Sequence, residues 1–214
     1  QVRQRAKLPL LLSRLAGQTG QLLNVSNAAR DVDLEQKTAD NYTKLLEAVF
    51  LIQRLPAWGT TLRSRAGSAP KIHIVDSGVA ARLLRLSAAR LASLQATALT
   101  EFGHLLETFV VGEILKQVSW SDNVAGYGHW RTHDGDEVDL ILERDDGCVV
   151  AFEVKSGSRI SGNDLRGLRK LRAALADKFI GGIVLNTGER SYTQDDRIHV
   201  LPIDRLWTPS STLL

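Results

Sequence analysis

The sequence contains no methionine and a single cysteine among its 214 residues. A gene product begins with methionine, so we expect a fragment whose N-terminal part is missing. The single thiol, Cys148, excludes an intrachain disulfide and fits a reducing, cytoplasmic setting. No stretch approaches the roughly 18 consecutive apolar residues of a membrane helix, so we expect no membrane partner. No Gly-x-x-x-x-Gly-Lys-Ser/Thr motif occurs, which excludes a P-loop nucleotide site within these residues.

The net charge of +3 conceals an asymmetry between the two parts of the chain. Residues 1–95 carry 14 Lys/Arg against 6 Asp/Glu, a balance of +8, whereas residues 96–214 carry 13 against 18, a balance of −5. A basic region attracts polyanions, and an acidic region is typical of a cation-binding site. Scattered solvated charge accounts for the same counts about as well.

Residues 1–95 have the pattern of a winged helix-turn-helix. Apolar spacing and capping residues predict helices at 8–16, 26–32 and 38–50, followed by strands at 51–55 and 71–75. Three helices and a two-stranded ribbon are the elements of that module, whose third helix enters a DNA groove. Arg63 and Arg65 lie in the wing between the strands and are the better candidates for phosphate contacts. Protein docking is an equal alternative for this region.

Residues 96–214 predict a restriction-endonuclease-like α-β-β-β-α-β domain with a mixed sheet. The predicted elements are a helix at 101–118, strands at 127–133, 137–143 and 148–155, a helix at 163–176, and strands at 179–186 and 197–201. Helices that alternate with strands in this way are expected to cover a sheet on its faces.

A hairpin at 137–155 holds the chemically most informative residues. Asp145-Asp146-Gly147 predicts a three-residue turn, which pairs Arg144 with Cys148. Side chains alternate along strands, so the carboxylates of Glu137, Asp139 and Glu153 and the ammonium of Lys155 are expected to share one face at the open end of the hairpin.

This combination predicts a magnesium-dependent site. Mg²⁺ (or Mn²⁺) prefers hard oxygen ligands and takes one or two carboxylates while keeping several waters. We expect Asp139 and Glu153 to bind the ion and Lys155 to orient or deprotonate a water. Glu107, on a largely apolar helix face, needs a partner and is the expected auxiliary acid and third ligand. The alternative is a structural ion pair of Lys155 with Glu153 or Asp139.

The spacing of Asp139 and Glu153-Val154-Lys155 resembles the PD-(D/E)XK nuclease pattern. A wider resemblance covers almost the whole chain and includes Gly20–Ser26, Pro70–Gly78, Gly103–Glu113, Phe152–Lys155 and Gly181–Leu185. With these segments the sequence resembles the C-terminal region of bacterial and archaeal AAA-type ATPases. In those proteins a P-loop domain precedes a winged helix and a PD-(D/E)XK nuclease-like domain of unknown function.

The resemblance implies a DNA phosphodiesterase domain attached to an ATPase, or a non-catalytic DNA- or protein-binding appendage of that ATPase. ATP and ring-type oligomers then belong to the N-terminal P-loop domain, and this chain itself has no cofactor-binding motif for a nucleotide. DNA is the expected partner of Arg131, Arg159 and Lys170, which flank the proposed site in sequence. A solvated helix face explains the cations after residue 160 equally well.

Overall fold

The computed structural model describes residues 6–61 and 69–208. It divides into two compact units, and the division falls inside one helix, between Phe109 and Val110. Of the described residues, the first unit holds 6–56 and 69–109, and the second holds 57–61 and 110–208. The sequence prediction placed the boundary between residues 95 and 96, where the structure has the short turn that precedes this helix.

The first unit combines helices with a small antiparallel sheet, whose order is β1-β3-β2. Its elements are α1 (Lys7–Ala16), β1 (Gln21–Leu22), α2 (Val25–Asp31), α3 (Gln36–Ala48), β2 (Ile52–Leu55), β3 (Lys71–Ile74), α4 (Ser77–Leu83), α5 (Ala88–Ala92) and the first half of α6 (Ala96–Val118).

Short polar side chains begin two of these helices. Asn24 caps α2, because its side chain accepts a hydrogen bond of 2.9 Å from the amide of Asn27. The predicted start of this helix, at residue 26, lies one position after its first residue, Val25. Asp76 caps α4 by accepting a hydrogen bond of 2.8 Å from the amide of Val79.

The core of the first unit lies between its helices and strand β3. Burial of aliphatic side chains contributes about 1.5–3 kcal/mol for each fully buried residue and supplies most of the driving force. The most completely buried members are Leu11, Leu15, Ala16, Ala39, Ile72 and Ala80.

The second unit is built on a six-stranded mixed sheet of order β4-β5-β6-β7-β9-β8. Its elements are β4 (Gly126–Arg131), β5 (Glu137–Glu143), β6 (Val149–Lys155), a 3₁₀ turn (Gly162–Leu165), α7 (Arg166–Leu175), β7 (Phe179–Asn186), β8 (Tyr192–Asp195), β9 (Ile198–Pro202) and a final 3₁₀ turn (Ile203–Trp207). Strands β4, β5 and β6 are antiparallel, and β6, β7 and β9 are parallel. The predicted α/β class with a mixed sheet is confirmed.

The β5–β6 hairpin has the predicted three-residue turn. The amide of Arg144 donates to the carbonyl of Cys148 at 2.9 Å, and the amide of Gly147 returns to the carbonyl of Arg144 at 2.9 Å. Gly147 has a φ of +75°, which a residue with a side chain rarely adopts. The ladder then pairs Leu140 with Phe152, as the turn requires.

Helix α7 packs directly against the start of β5. A Cβ atom added at Gly167 would lie 1.9 Å from the carbonyl oxygen of Glu137, so this contact requires glycine. Leu165, Leu168 and Leu171 are buried against the same sheet, in one core cluster with Ile141. This packing fixes the beginning of α7 beside the strand that carries Asp139.

None of the helices within the described ranges, 6–61 and 69–208, is long and apolar enough to cross a membrane.

Candidate active site

Strand β5 is irregular at the position of Asp139. Its pairing with β4 shifts between Gly128, which lies opposite Ile141, and Trp130, which lies opposite Val138. Three steps along β5 therefore match two steps along β4, which is the geometry of a β-bulge. Followed away from the turn, the regular ladder between β5 and β6 ends at Leu140, the residue next to Asp139. Bulges of this kind redirect a side chain or end the pairing of two strands.

The side chain of Asp139 continues the hydrogen bonding between β5 and β6 where the backbone ladder stops. Its carboxylate accepts a hydrogen bond of 2.9 Å from the amide of Val154, and only 4% of the residue is exposed. Glu153 lies one residue beyond the last residue of β6 that pairs with β5, and it is 6% exposed. The hairpin thus brings two buried carboxylates to its open end, although the two residues are 14 positions apart in sequence.

Lys155 forms an ion pair with one of these carboxylates. Its Nζ atom donates to Oε1 of Glu153 at 2.6 Å, and about a third of its side chain is exposed. Burial by itself would lower the pKa of Lys155. The carboxylate of Glu153, and also those of Asp139 and Asp164, outweigh burial, so the pKa of Lys155 lies above its ordinary value. The side chain is therefore an ammonium at neutral pH.

Asp164 belongs to the same electrostatic cluster, and the sequence analysis did not include it. Burial would raise the pKa of this carboxyl, but hydrogen bonds from Ser161 and the charge of Lys155 bring it below its ordinary value. Asp164 accepts from the amide of Ser161 at 2.7 Å and from its hydroxyl at 2.6 Å. The Ser-x-x-Asp spacing is the signature of a capping box, and it could have identified this turn.

Glu137 was expected to face Lys155, but its hydrogen-bonded partner lies on the other neighbouring strand. Arg131 on β4 donates to Glu137 at 3.4 Å, and the side chain of Glu137 is 40% exposed. A bulge lies between Glu137 and Leu140, and the predicted alternation of side chains does not hold across an extra residue. Only the pairing from Leu140 onward follows the predicted register.

Glu107 forms an ion pair inside the first unit. Its Oε1 atom lies 2.8 Å from Nζ of Lys71, and the two side chains are 10% and 2% exposed. Glu107 lies on a largely apolar helix face and needs a polar partner, and Lys71 on strand β3 is that partner. Its role as an auxiliary acid and metal ligand stays a prediction.

Two of the three predicted nucleic-acid contacts that lie in the described residues have acidic partners. Arg131 pairs with Glu137, and Lys170 lies 2.7 Å from Asp136 and 3.5 Å from Asp134. Hydrogen bonding from Lys170, helped by the charge of Arg166, lowers the pKa of Asp136 in spite of its burial. The pairs of Lys170 and Arg166 join α7 to the segment before β5.

Arg159 is exposed, and no acidic side chain of the described residues lies within ion-pair distance of it. Arg63 and Arg65 lie outside the described residues. Of the three predicted cations in the described residues, Arg159 is thus the one whose charge no acidic side chain offsets.

A search of residues 6–61 and 69–208 finds no group of three or more His, Cys, Asp or Glu side chains with a metal-binding arrangement. Asp139 and Glu153 are two carboxylates, which is the number that a Mg²⁺ site in proteins commonly uses. The donor set therefore fits a hydrated hard cation and does not fit a zinc site, which needs about four protein ligands when structural.

Two family models match the chain, and they separate between residues 90 and 102, before the point in α6 where the structure divides it. Residues 102–206 match the family described as "Domain of unknown function (DUF4143)". Residues 1–90 match another domain of unknown function, DUF8612. The DUF4143 region contains Glu107, Asp139, Glu153 and Lys155, and the DUF8612 region contains the small sheet of the first unit.

Two curated relatives are uncharacterized proteins of Mycobacterium bovis and Mycobacterium tuberculosis. Each is 30% identical over 198 residues, which are 92% of this chain and 42% of the relative. The chain therefore spans less than half the length of these relatives. Among solved structures, the protein VC1899 from Vibrio cholerae aligns with a TM-score of 0.35 and 13% identity, covering 96% of this chain and 50% of that one. This structural similarity is too low to support a functional inference.

Proposed function

We propose that the DUF4143 region is a Mg²⁺-dependent DNA phosphodiesterase. The observation that carries this proposal is the convergence of two buried carboxylates and one ammonium where the β5–β6 ladder is broken. Burying ionised groups costs several kcal/mol each unless they are compensated. Buried charges at an irregular strand end are typical of sites that serve a ligand.

In this proposal Asp139 and Glu153 hold the metal ion and Lys155 acts on the phosphate. A bound Mg²⁺ supplies a water of lowered pKa and screens the charge that develops on the phosphoryl group. Since the pKa of Lys155 is raised, its side chain enters the reaction as an ammonium. It therefore donates a hydrogen bond and stabilises negative charge, and this favours an orienting role over that of a general base.

The order of the elements supports the finer folds that the sequence predicted. In the first unit, helices and strands follow the order α1-β1-α2-α3-β2-β3, which suits a winged helix-turn-helix. In the second, β4-β5-β6-α7-β7 follows α6, which suits a restriction-endonuclease-like domain. The winged helix would then position DNA.

We extend the proposal to the longer protein. DUF4143 domains commonly follow AAA-type ATPases, and relatives of this chain are more than twice its length. A P-loop ATPase domain of the same protein would be the partner of both units, and ATP would act through that domain.

The direct test is cleavage of DNA by the chain in Mg²⁺ or Mn²⁺. Supercoiled plasmid and labelled oligonucleotides are incubated with wild type, Lys155→Ala and Asp145→Asn. Asp145 is an exposed acid at the opposite, turn end of the same hairpin, so its variant is a matched control. Cleavage should require Lys155 and not Asp145. Equal nicking by all three proteins would identify a contaminant and would contradict the proposal.

A second candidate is a non-catalytic DNA- or protein-binding appendage of the ATPase. It is favoured by the internal pairing of the site, where Lys155 bonds to Glu153 and the amide of Val154 bonds to Asp139. In that case the acidic groups stabilise the hairpin end. Substitution of Asp139 or Glu153 would then alter stability without changing the affinity for a divalent cation.

A further inference from the structure

Two loops meet beyond the carboxyl ends of the parallel strands β6 and β7. The side chain of Asn186 donates to the carbonyl of Ser158 at 3.2 Å, and the hydroxyl of Thr187 donates to the carbonyl of Ser156 at 2.9 Å. Asn186 is only 1% exposed, and its Oδ1 atom also accepts the amide of Gly188 at 3.3 Å. The two loops are therefore held together before any ligand arrives, which reduces the entropy lost on binding.

A cleft of about 380 Å³ lies at this junction, lined by Ser158, Asn186, Arg190 and Tyr192 among others. Asn186 is the residue that pairs with Lys155 across β6 and β7, so the cleft begins beside the candidate active site. In open α/β sheets, ligands bind in the crevice outside the carboxyl ends of the strands. A second cleft of about 460 Å³ shares Tyr192 with the first.

The charges around the first cleft differ from those on helix α7. Elsewhere the arginines of α7 are neutralised, as in the pairs of Arg169 and Arg172 with Asp195. Arg190 lines the cleft and Arg159 follows Ser158, and within the described ranges neither lies within ion-pair distance of an acid. Glu189 lines the cleft as well, so two guanidinium groups stand against one carboxylate.

Tyr192 adds an aromatic surface between the two clefts. It begins the edge strand β8 and is 39% exposed, so part of its side chain is open to a ligand. A nucleic-acid base stacks on an aromatic ring of this kind irrespective of its sequence, while arginines follow the phosphates. Tyr192 therefore offers a surface for the base of a nucleotide, and Arg190 offers a cation for its phosphate.

We propose that this cleft binds one nucleotide of a nucleic-acid strand beside the active site. Arg190, with Arg159, contacts the phosphates, and the base lies against Tyr192. The inference rests on the proposed function, since it gives the phosphodiester substrate a defined path past Lys155. It adds a binding subsite that the metal site itself does not require.

The test is the affinity of the whole chain for a labelled 12-nucleotide single strand, measured by fluorescence anisotropy in EDTA so that no cleavage occurs. A second strand carries abasic sites in place of its bases. The variants are Arg190→Gln and Tyr192→Ala. Lys178→Gln is the matched control, because Lys178 is an exposed cation at the opposite end of β7, and no acid in the described part of the chain pairs with it. Circular dichroism confirms that each variant is folded.

We expect Arg190→Gln to weaken binding of both strands about tenfold. It should also reduce the slope of log affinity against log salt by about 0.7. Tyr192→Ala should weaken binding of the normal strand by about fivefold or more, with less than about a twofold effect on the abasic strand. Lys178→Gln should bind both strands as wild type does.

The proposal is overturned if wild type does not bind the strand. It is overturned equally if Arg190→Gln and Tyr192→Ala bind as the Lys178→Gln control does. Asp139→Asn separates this proposal from the catalytic one, because it should abolish cleavage and bind the strand normally in EDTA. If wild type never cleaves DNA but the variants bind the strands as expected, the nucleotide subsite is supported and the phosphodiesterase proposal is wrong.

Discussion

The amide of Val154 donates its hydrogen bond to the carboxylate of Asp139, at 2.9 Å, and this bond joins β6 to β5 where the backbone ladder has ended. A side chain of the proposed metal site thus also holds the hairpin closed. Removal of Asp139 should therefore affect stability as well as metal binding, and the choice of substitution can separate the two effects.

Asp139→Ala should destabilise the second unit by about 1–3 kcal/mol, because it leaves the buried Val154 amide without this acceptor. Asp139→Asn keeps an oxygen acceptor in the same place and should cost less. Urea denaturation measures both, and an unchanged dependence on urea concentration would show that only stability has changed. Equal stability of wild type and Asp139→Ala would contradict the importance of this bond.

The raised pKa of Lys155 makes its contribution to stability dependent on pH. A lysine whose pKa is higher in the folded protein contributes stability that is fully present below its ordinary pKa of 10.5. That contribution is lost as the pH rises through the folded value. The difference in free energy of unfolding between wild type and Lys155→Met should therefore be constant from about pH 7 to pH 9.

Above about pH 10.5 the same difference should shrink. Chemical denaturation over this range measures it, and Glu153→Gln provides the control, since it removes the main carboxylate that raises the pKa. A difference that grows with rising pH would mean that burial dominates and that Lys155 has a lowered pKa.

Helix α7 should tolerate no side chain at position 167. Gly167→Ala places a methyl group against the backbone of Glu137, 1.9 Å from its carbonyl oxygen, so the helix must move away from β5. We expect a loss of about 3 kcal/mol or more. The matched control is Gly112→Ala, in the interior of α6, where an added Cβ meets nothing within 4 Å.

Gly112→Ala should leave the protein unchanged or stabilise it by up to about 1 kcal/mol, because alanine favours helices. Thermal denaturation followed by circular dichroism compares the two variants. If Gly167→Ala melted at the same temperature as wild type, α7 would not pack on β5 as described.

The hairpin shows how far residue patterns could predict this structure. The three-residue turn, the pairing of Arg144 with Cys148 and the strand at Glu137–Glu143 follow from turn residues and alternation alone, and the structure confirms them. The bulge at Asp139 could not be predicted, because it depends on the pairing with β4 and not on β5 itself. Beyond this irregularity, Glu137 forms its ion pair with Arg131 on β4.

Other differences arise from contacts distant in sequence or from local patterns too weak to recognise. The partner of Glu107 lies 36 residues away on β3, and nothing in the helix pattern identifies Lys71. Strand β8 was missed, since its sequence Tyr-Thr-Gln-Asp is polar and pairs only with β9 at the sheet edge. Helix α5 was missed because its five residues are too few for a recognisable period.

The buried pair of Lys71 and Glu107 tests whether Glu107 has a structural role. Glu107→Leu alone removes the carboxylate beside a buried ammonium and should cost about 3–5 kcal/mol. The double variant Lys71→Met/Glu107→Leu should recover most of that loss, because it replaces the pair with apolar groups. Urea denaturation compares the three proteins. Equal losses in the single and double variants would show that the pair is not the source of the effect.

The double variant also tests the predicted catalytic role of Glu107. If Glu107 serves only the first unit, the stable double variant should bind Mn²⁺ and cleave DNA as wild type does. A folded double variant with weakened Mn²⁺ binding would support the auxiliary role that the sequence predicted.

The most direct test of the central claim is a calorimetric titration of Mn²⁺ into wild type, Asp139→Asn, Glu153→Gln and Asp145→Asn. If Asp139 and Glu153 hold one cation together, wild type and Asp145→Asn should show one shared site, and each of the other two variants should lose it. Mn²⁺ binding of equal strength in all four proteins, or in none of them, would contradict the account.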